Sequence, residues 1–549
     1  MLPQTNSIPP IPELTQQIAR AAFPKTNTFM LMRDTLGSLF VDEDFACLFP
    51  CRGQPALSPW RLALVTIMQF VEGLSDRQAA EAVRSRIDWK YALSLDLTDP
   101  GFDFSVLCEF RQRLMKGRAE KILLDKLLKQ SQQVGLLKAG GQQRTDSTHV
   151  LAAIRNVGRL ECMIETLRYA LNAVAEVAPI WLRALAPSDW YERYSKRIEE
   201  SRLPRNPQER EALASKVGAD GLLLIDTIYS HEAPALLRQL PAVETLRQLW
   251  LQQFYAPDPT VRWRSQEDRP PCAQQIRSPY DIEARYATKR TTHWTGYKVH
   301  LSETCEEDAP RLITHVETTG APVADQWATP IVHQALKDKE LLPNQHLVDA
   351  GYISVQLIVS AQKDYGVELL GPVQTDRHWQ AQEKQGFDAD SFTVNWKKQV
   401  VYCPQGKASC RWKPAHDPRG NPTVYIAFAR QECQACPVRS QCTRSQKTGR
   451  SLTLRAQSDG QALQQARARQ KTDEFKAQYA QRAGIEGSIS QAVRAFGLRR
   501  CRYIGFAKTR LQHIVTAAAI NVVRLAAWLR GEPLAQTRQS SFAQLPKAG

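Results

Sequence analysis

His346-Leu347-Val348-Asp349-Ala350-Gly351-Tyr352 is a short apolar run that ends on an acid and then a glycine. It is too short for a helix and reads as a buried strand. An acid at the C-terminal end of such a strand projects into the crevice where α/β sheets bind ligands, although a cap or turn aspartate would look the same. Thr295 to Leu301 and Leu312 to Thr318 carry β-branched and aromatic residues, with an acidic turn from Glu303 to Asp308 between them. Helices are expected from about Asp325 to Leu336 and from Val355 to Lys363, then a strand from Val367 to Leu370. This alternation implies a mixed or parallel sheet. Upstream, Gly140-Gly141 breaks the chain, and Gln142 to Leu151 resumes as a strand candidate. It carries a second acid, Asp146, in Arg144-Thr145-Asp146-Ser147-Thr148-His149.

The flanks read as helical. The first 50 residues are punctuated by proline and show little periodicity. From Ser58, a candidate cap followed by Pro59, apolar residues recur at helical spacing until Gly73. Ser75-Asp76-Arg77-Gln78 is a capping box that opens a second helix. Further helices start at Ser105 and run through Ile122 to Leu128. The pair around Gly73, with Arg77, Arg84 and Arg86 on its second member, fits either a helix-turn-helix or an ordinary bundle with solvated arginines. A long helical tract from Arg159 to Tyr255 ends in Pro257, Pro259, Pro270 and Pro271. Helical stretches over about Leu463–Phe496 and Thr509–Leu529 precede a loose tail from Gln536.

The 549 residues, 43% apolar and 23% charged, exclude wholesale disorder and collagen-like repeats. A net charge of +16 favours a polyanionic partner, nucleic acid or an anionic membrane surface. Asn521 and Arg524 interrupt the most apolar late stretch, Ile514 to Leu529, and the N-terminus lacks the layout of a secretion signal. A cytoplasmic protein with no membrane partner is expected. Five of the twelve cysteines crowd between Cys403 and Cys442. In a chain of this kind such a cluster reads as a metal site before it reads as disulfides, with reduced, partly buried thiols as the alternative. The pair Cys433-Gln434-Ala435-Cys436 plus further cysteines suits tetrahedral Zn²⁺ in a closed, structural site.

Tyr479, Arg482 and Glu486 are spaced to share one helical face. After Glu486 there is no acid until Glu532, but there are eight basic residues, among them Arg494, Arg499, Arg500, Arg502 and Lys508. One acid beside a long basic stretch suits a polyanion site with a metal ligand; a solvated basic helix with a chance carboxylate is the alternative.

The run Tyr479-Ala480-Gln481-Arg482-Ala483-Gly484-Ile485-Glu486-Gly487, with Asp349-Ala350-Gly351-Tyr352 and Arg144-Thr145-Asp146-Ser147, resembles the DDE transposases of bacterial insertion sequences. It is most similar to the branch marked by Tyr-x-x-Arg-x-x-x-Glu. Gly497-Leu498-Arg499-Arg500-Cys501-Arg502-Tyr503-Ile504-Gly505 and the helical stretch from about Gly53 to Leu124 resemble that branch too. The resemblance implies an α/β fold: a ribonuclease-H-like catalytic core, a mixed sheet with flanking helices, plus a helical N-terminal domain and helical and cysteine-rich insertions. The expected divisions are a DNA-binding domain over 1–135, core over 140–158, 276–371 and 456–530, a helical insertion over 159–275, a cysteine-rich insertion over 372–455, and a flexible tail over 531–549.

The resemblance further implies Asp146, Asp349 and Glu486 as the catalytic acids and ligands of Mg²⁺ or Mn²⁺. Asp146 would bridge two ions, with Asp349 and Glu486 each completing one shell. Tyr479, Arg482, Arg494, Arg499, Arg500, Arg502 and Lys508 would contact DNA. The similar cysteine arrangement implies zinc on Cys403, Cys433, Cys436 and Cys442, leaving Cys410 out. The implied activity is cleavage and strand transfer at the ends of an insertion sequence, on double-stranded DNA, as a homo-oligomer at the bacterial nucleoid. A DNA-binding relative that does not cut and a nuclease without strand transfer are the alternatives. The family often has a Lys seven positions after its Glu; here that position is Val493, and Arg494 or Lys508 could serve. His149 reads as structural, and Asp325 as a helix N-cap.

Overall fold

A strand, β1, forms over Gln142–Leu151, and the sheet is arranged around it. The computed structural model describes residues 8–155, 157–256, 260–375, 378–382, 386–418, 420–533 and 545. β2 (Arg285–Lys289), β3 (Thr292–Thr304), β4 (Ile313–Gly320), β5 (Gln345–Val348) and β6 (Glu368–Leu370) complete a six-stranded sheet. Its order is β2-β3-β1-β5-β6, with β4 also paired to β3. The pairs of β3 with β1, β2 and β4 are antiparallel, whereas β5 runs parallel to β1 and β6 parallel to β5. A mixed sheet of this order, flanked by helices, is consistent with a ribonuclease-H-like core.

The β1–β5 register puts Thr145 opposite Val348, so Asp146 and Asp349 follow side by side on neighbouring strands. A buried polar chain supports this pairing. Thr145 Oγ1 lies 2.6 Å from both Ser302 Oγ on β3 and His346 Nε2 on β5. His346 Nδ1 meets His333 Nε2 at 2.9 Å on the helix Ala328–Asp338. Burial lowers the pKa of both imidazoles, His333 to about 4, and so favours their neutral forms.

The acidic turn expected from Glu303 is shorter than its composition suggests. β3 runs on to Thr304, and Glu303 is fully buried because Arg144 and Arg524 neutralise it. The N-terminal 50 residues also differ from expectation. They form helices Glu13–Ala22 and Thr28–Leu36 and a 3-10 helix Asp42–Leu48. The Asn27 side chain caps the second by accepting from the Met30 N–H. Helix Pro59–Glu72 starts on its proline without a side-chain cap from Ser58 and ends at Gly73, whose φ of 70° suits glycine. The capping box at Ser75 and Gln78 forms as expected and opens Asp76–Ser85. Helices Ser105–Lys116 and Ile122–Gln133 follow.

One apolar core joins these N-terminal helices to the sheet and the C-terminal helices. It includes Phe45, Trp60, Ile67, Phe110 and Leu127 together with Val299, Leu301, Ile485 and Val522. Helices Arg159–Val177, Pro207–Tyr229 and Pro241–Gln253 of the long tract share a separate core around Leu167, Leu224 and Trp250. The cysteine-rich segment has its own small core of Phe392, Val401, Ile426, Phe428 and Leu452. Its strands form a hairpin, Thr393–Asn395 with Val400–Tyr402, and a three-stranded sheet of Arg411–His416, Pro422–Ala427 and Ser451–Arg455. Pro257, Pro259 and the tail from Gln536, apart from Leu545, lie outside the described residues.

The last helix runs from Phe506 to Leu529, longer than its apolar stretch alone suggests. By length and composition it could cross a membrane, but 78% of its most apolar stretch is buried inside the protein. It packs against Thr28–Leu36, Pro59–Glu72, Ile122–Gln133 and β4. The polar residues that interrupt its apolar run have partners there. The Asn521 amide accepts from the Ile313 N–H at 2.8 Å and donates to the Ile313 carbonyl at 2.9 Å, pairing the outer edge of β4. Asn521→Leu would leave both backbone groups buried and unpaired. Urea unfolding should show a loss of roughly 2–4 kcal/mol, and an unchanged midpoint would contradict this role.

Candidate functional site

Asp146 leaves the middle of β1, and Asp349 follows the last residue of β5. Glu486 lies in the first turn of the helix Gly484–Phe496. Tyr479 and Arg482 precede it, but not on one unbroken helix. Helix Asp473–Ala480 is followed by a 3-10 turn over Gln481–Ala483 that carries Arg482. From that turn the Arg482 guanidinium reaches all three acids. Arg482 Nη2 is 2.6 Å from Asp146 Oδ2 and 4.0 Å from Asp349 Oδ2, while Nη1 is 3.6 Å from Glu486 Oε1.

The acids differ in environment. Asp146 is buried and Asp349 partly so, whereas the Glu486 side chain is 70% exposed. Burial raises the Asp146 carboxyl above its ordinary pKa, and Asp349 adds to the rise. Arg482 and the Ser147 N–H, at 2.7 Å from Oδ1, oppose it. The Gly351 N–H donates to Asp349 Oδ1 at 2.8 Å, which fixes that carboxylate at the strand end. Among the described residues, no three His, Cys, Asp or Glu side chains already stand close enough together to hold a metal ion. The three acids surround a guanidinium instead, so a divalent cation there would compete with Arg482 for the same oxygens.

A fourth carboxylate lies beside them. Asp325 begins a 3-10 turn but does not cap it with its side chain. Its Oδ1 receives the Lys298 ammonium at 2.7 Å and faces Ser147 Oγ at 3.4 Å. A Cβ on Gly351 would meet Asp349 Oδ1 at 3.0 Å and Asp325 Oδ2 at 3.2 Å, so these two carboxylates flank the same glycine. Lys298 is drawn to Asp325 and to the Val323 carbonyl, at 2.7 Å. On the same face of β3, His300 Nδ1 meets the Tyr352 hydroxyl at 2.5 Å. Burial lowers His300 to about 4 and raises Tyr352 well above its usual value, so both favour the neutral state. The sequence signal for this layer is the alternation of Lys298, His300 and Ser302 with the apolar Tyr297, Val299 and Leu301.

The basic residues spread out from the site. Tyr479 is half-buried and stacks on Phe475. Arg499 Nε donates to Thr148 Oγ1 at 2.8 Å, two residues along β1 from Asp146. Arg494, Arg500 and Lys508 are exposed. Arg502 turns away toward the N-terminal helices, over the Phe70 ring and within 3.4 Å of the Leu74 carbonyl. Val493, where the resembled family often has Lys, packs against the apolar core. His149 packs against the Trp294 ring, in keeping with a structural role.

In the cysteine module, Cys403, Cys433, Cys436 and Cys442 line one cavity of about 500 Å³. The Lys407 N–H points at Cys403 Sγ and the Arg450 N–H at Cys433 Sγ, both at 3.4 Å. Burial pushes the Cys442 thiol up to about 11, and the three neighbouring cysteines add to the effect. Cys410 donates instead to the Ala427 carbonyl at 3.4 Å. All twelve cysteines are free thiols.

The Lys298–Asp325 pair is mostly buried, so removing one partner strands the other. Lys298→Met should cost roughly 3 kcal/mol in urea unfolding, and adding Asp325→Leu should recover most of it. Equal losses in the single and double variants would show that the two charges are not coupled.

The chain matches two family models. Residues 17–113 match a transposase domain (DUF772), and residues 402–526 match a transposase DDE domain. No curated protein and no solved structure matches the chain. The second match takes in the four cysteines, Tyr479, Arg482 and Glu486, while Asp146 and Asp349 lie outside both. The chain therefore carries a DDE-type transposase domain architecture, with one transposase-family segment among the N-terminal helices and another toward the C-terminus.

Proposed function

We propose that the chain is a transposase of the Tyr-x-x-Arg-x-x-x-Glu branch that binds the ends of a bacterial insertion sequence and catalyses Mg²⁺-dependent strand cleavage and strand transfer. The observation that carries this reading is the gathering of Asp146, Asp349 and Glu486 around one guanidinium. Three carboxylates drawn from distant parts of the chain are hard oxygen donors of the kind Mg²⁺ or Mn²⁺ prefers. Such ions, when bound, activate a water or a 3′-hydroxyl and stabilise charge on the leaving oxygen.

The chain's own residues do the rest. Arg482 neutralises the acids in the DNA-free chain and can exchange them for a phosphate, which a guanidinium pairs with bidentately. Tyr479 flanks that exchange. Arg494, Arg499, Arg500 and Lys508 supply phosphate contacts with no acid between them to repel the duplex, and Arg502 would join them only by leaving the Phe70 ring. Holding two element ends and a target calls for more than one copy of the chain on DNA, at the nucleoid in the bacterial cytoplasm. In the cysteine module, Cys403, Cys433, Cys436 and Cys442 would hold a structural Zn²⁺ by closing in from their present spacing, which by itself forms no metal-holding group among the described residues. Their shared cavity and the two N–H groups aimed at sulfur support this reading.

Asp349→Ala is expected to abolish Mg²⁺-dependent cleavage of DNA carrying the element's ends, while binding that DNA within about threefold of the wild type. Cleavage that survives in the variant would remove Asp349 from the site. Binding by both proteins with cleavage by neither would favour a DNA-holding relative that does not cut.

Metal analysis of freshly reduced protein should find about one zinc per chain, and Cys433→Ser should lose it and lower the melting temperature. Well under one zinc per chain in the wild type would refute the zinc assignment.

A further inference from the structure

Glu303 is fully buried on β3 and belongs to none of the groups described around the acids, yet its carboxylate is fully engaged. Oε1 receives Arg144 Nε at 2.7 Å and Arg144 Nη2 at 2.6 Å. Oε2 receives Ser488 Oγ at 2.5 Å and Arg524 Nη1 at 2.8 Å. Arg524 also donates to Ser488 Oγ at 2.6 Å and to the Arg311 carbonyl at 2.8 Å. Arg144 goes on through Nη1 to the Gln481 carbonyl at 2.5 Å.

The two ends of this network bracket the segment that carries Arg482 and Glu486. Gln481 is one residue before Arg482, and Ser488 is two residues after Glu486. Space is reserved for it as well. A Cβ on Gly484 would lie 2.1 Å from Arg144 Nη1, so only glycine lets the guanidinium run beneath the helix start. Glu486 is itself exposed, and the network fixes the backbone on either side of it.

We infer that Glu303 is a positioning residue: through Arg144 and Ser488 it holds the Gln481–Ser488 segment so that Glu486 and Arg482 face the two aspartates. This rests on the proposed function, because it takes Glu486 to be a metal ligand. Glu303 acts through other residues and touches neither DNA nor the reacting atoms.

The test is Mn²⁺ binding to the full-length, DNA-free protein, followed by electron paramagnetic resonance, in wild type, Asp349→Ala, Glu303→Gln and Ser488→Ala. The melting temperature of each is measured alongside. Glu303→Gln and Ser488→Ala are expected to weaken Mn²⁺ binding by about tenfold, with cleavage at saturating DNA slowed and DNA affinity unchanged. Wild-type Mn²⁺ affinity in both variants, with Asp349→Ala impaired, would overturn this inference alone, whatever their melting temperatures. Should Glu303→Gln fail to fold, Ser488→Ala, which loses one hydroxyl, decides by the same criterion. Wild-type Mn²⁺ affinity in Asp349→Ala would overturn the proposed function and this inference with it.

Discussion

The parallel pairing of β1 with β5 is the constraint on which the rest of this structure depends. It sets Thr145 against Val348 and so makes neighbours of Asp146 and Asp349. A parallel pair cannot be closed by a tight turn, so the chain must leave β1 and return to the same end of the sheet. Along the way it builds the helical insertion with its own core and the antiparallel strands β2 to β4. The insertion can therefore be large without disturbing the sheet. Hydrogen bonds hold both positions, Thr145 within β1 through Ser302 and His346, and Asp349 after β5 through the Gly351 N–H.

Charge placement follows from that pairing. Burial disfavours a charged Asp146, and the neighbouring Asp349 adds to the penalty. The structure answers with cations delivered from elsewhere: Arg482 among the three acids, and Lys298 on Asp325. Deeper in the sheet, Glu303 is flanked by Arg144 and Arg524. A protein concerned only with stability would fill such positions with apolar side chains, because removing charges from water costs more than their attraction usually returns. Keeping them fits the proposed function, in which the carboxylates would receive a cation, and the inferred role of Glu303 in holding the segment that bears one of them.

The last helix shows how composition and context diverge. Its length and apolar content would suit a membrane, yet in the fold it lies beneath the N-terminal helices and along β4. Asn521 and Arg524, which look like flaws in an apolar span, complete a strand edge and a buried ion network. The same helix unites the N-terminal helices and the sheet in one apolar core.

The sequence by itself determined β1, the strand leading to Asp349, the capping box at Ser75 and the helices Pro59–Glu72, Asp76–Ser85, Ser105–Lys116 and Ile122–Gln133. Each of these follows from local periodicity or from a cap within a few residues. The motif around Glu486 was also legible, because i, i+3 and i+7 spacing survives a short 3-10 turn. Tertiary structure alone decided what depends on contacts between residues far apart in the chain. Glu303 sits in an acidic stretch and gives no sign of burial until Arg144 and Arg524 arrive to neutralise it. Asp325 resembles a cap until Lys298, on a strand before it, takes its carboxylate. Arg502, in a basic run, faces Phe70 because the N-terminal helices fold back onto the sheet. Local pattern fixes which way a side chain leaves its own element. Which charge or ring it meets depends on where the rest of the chain has folded.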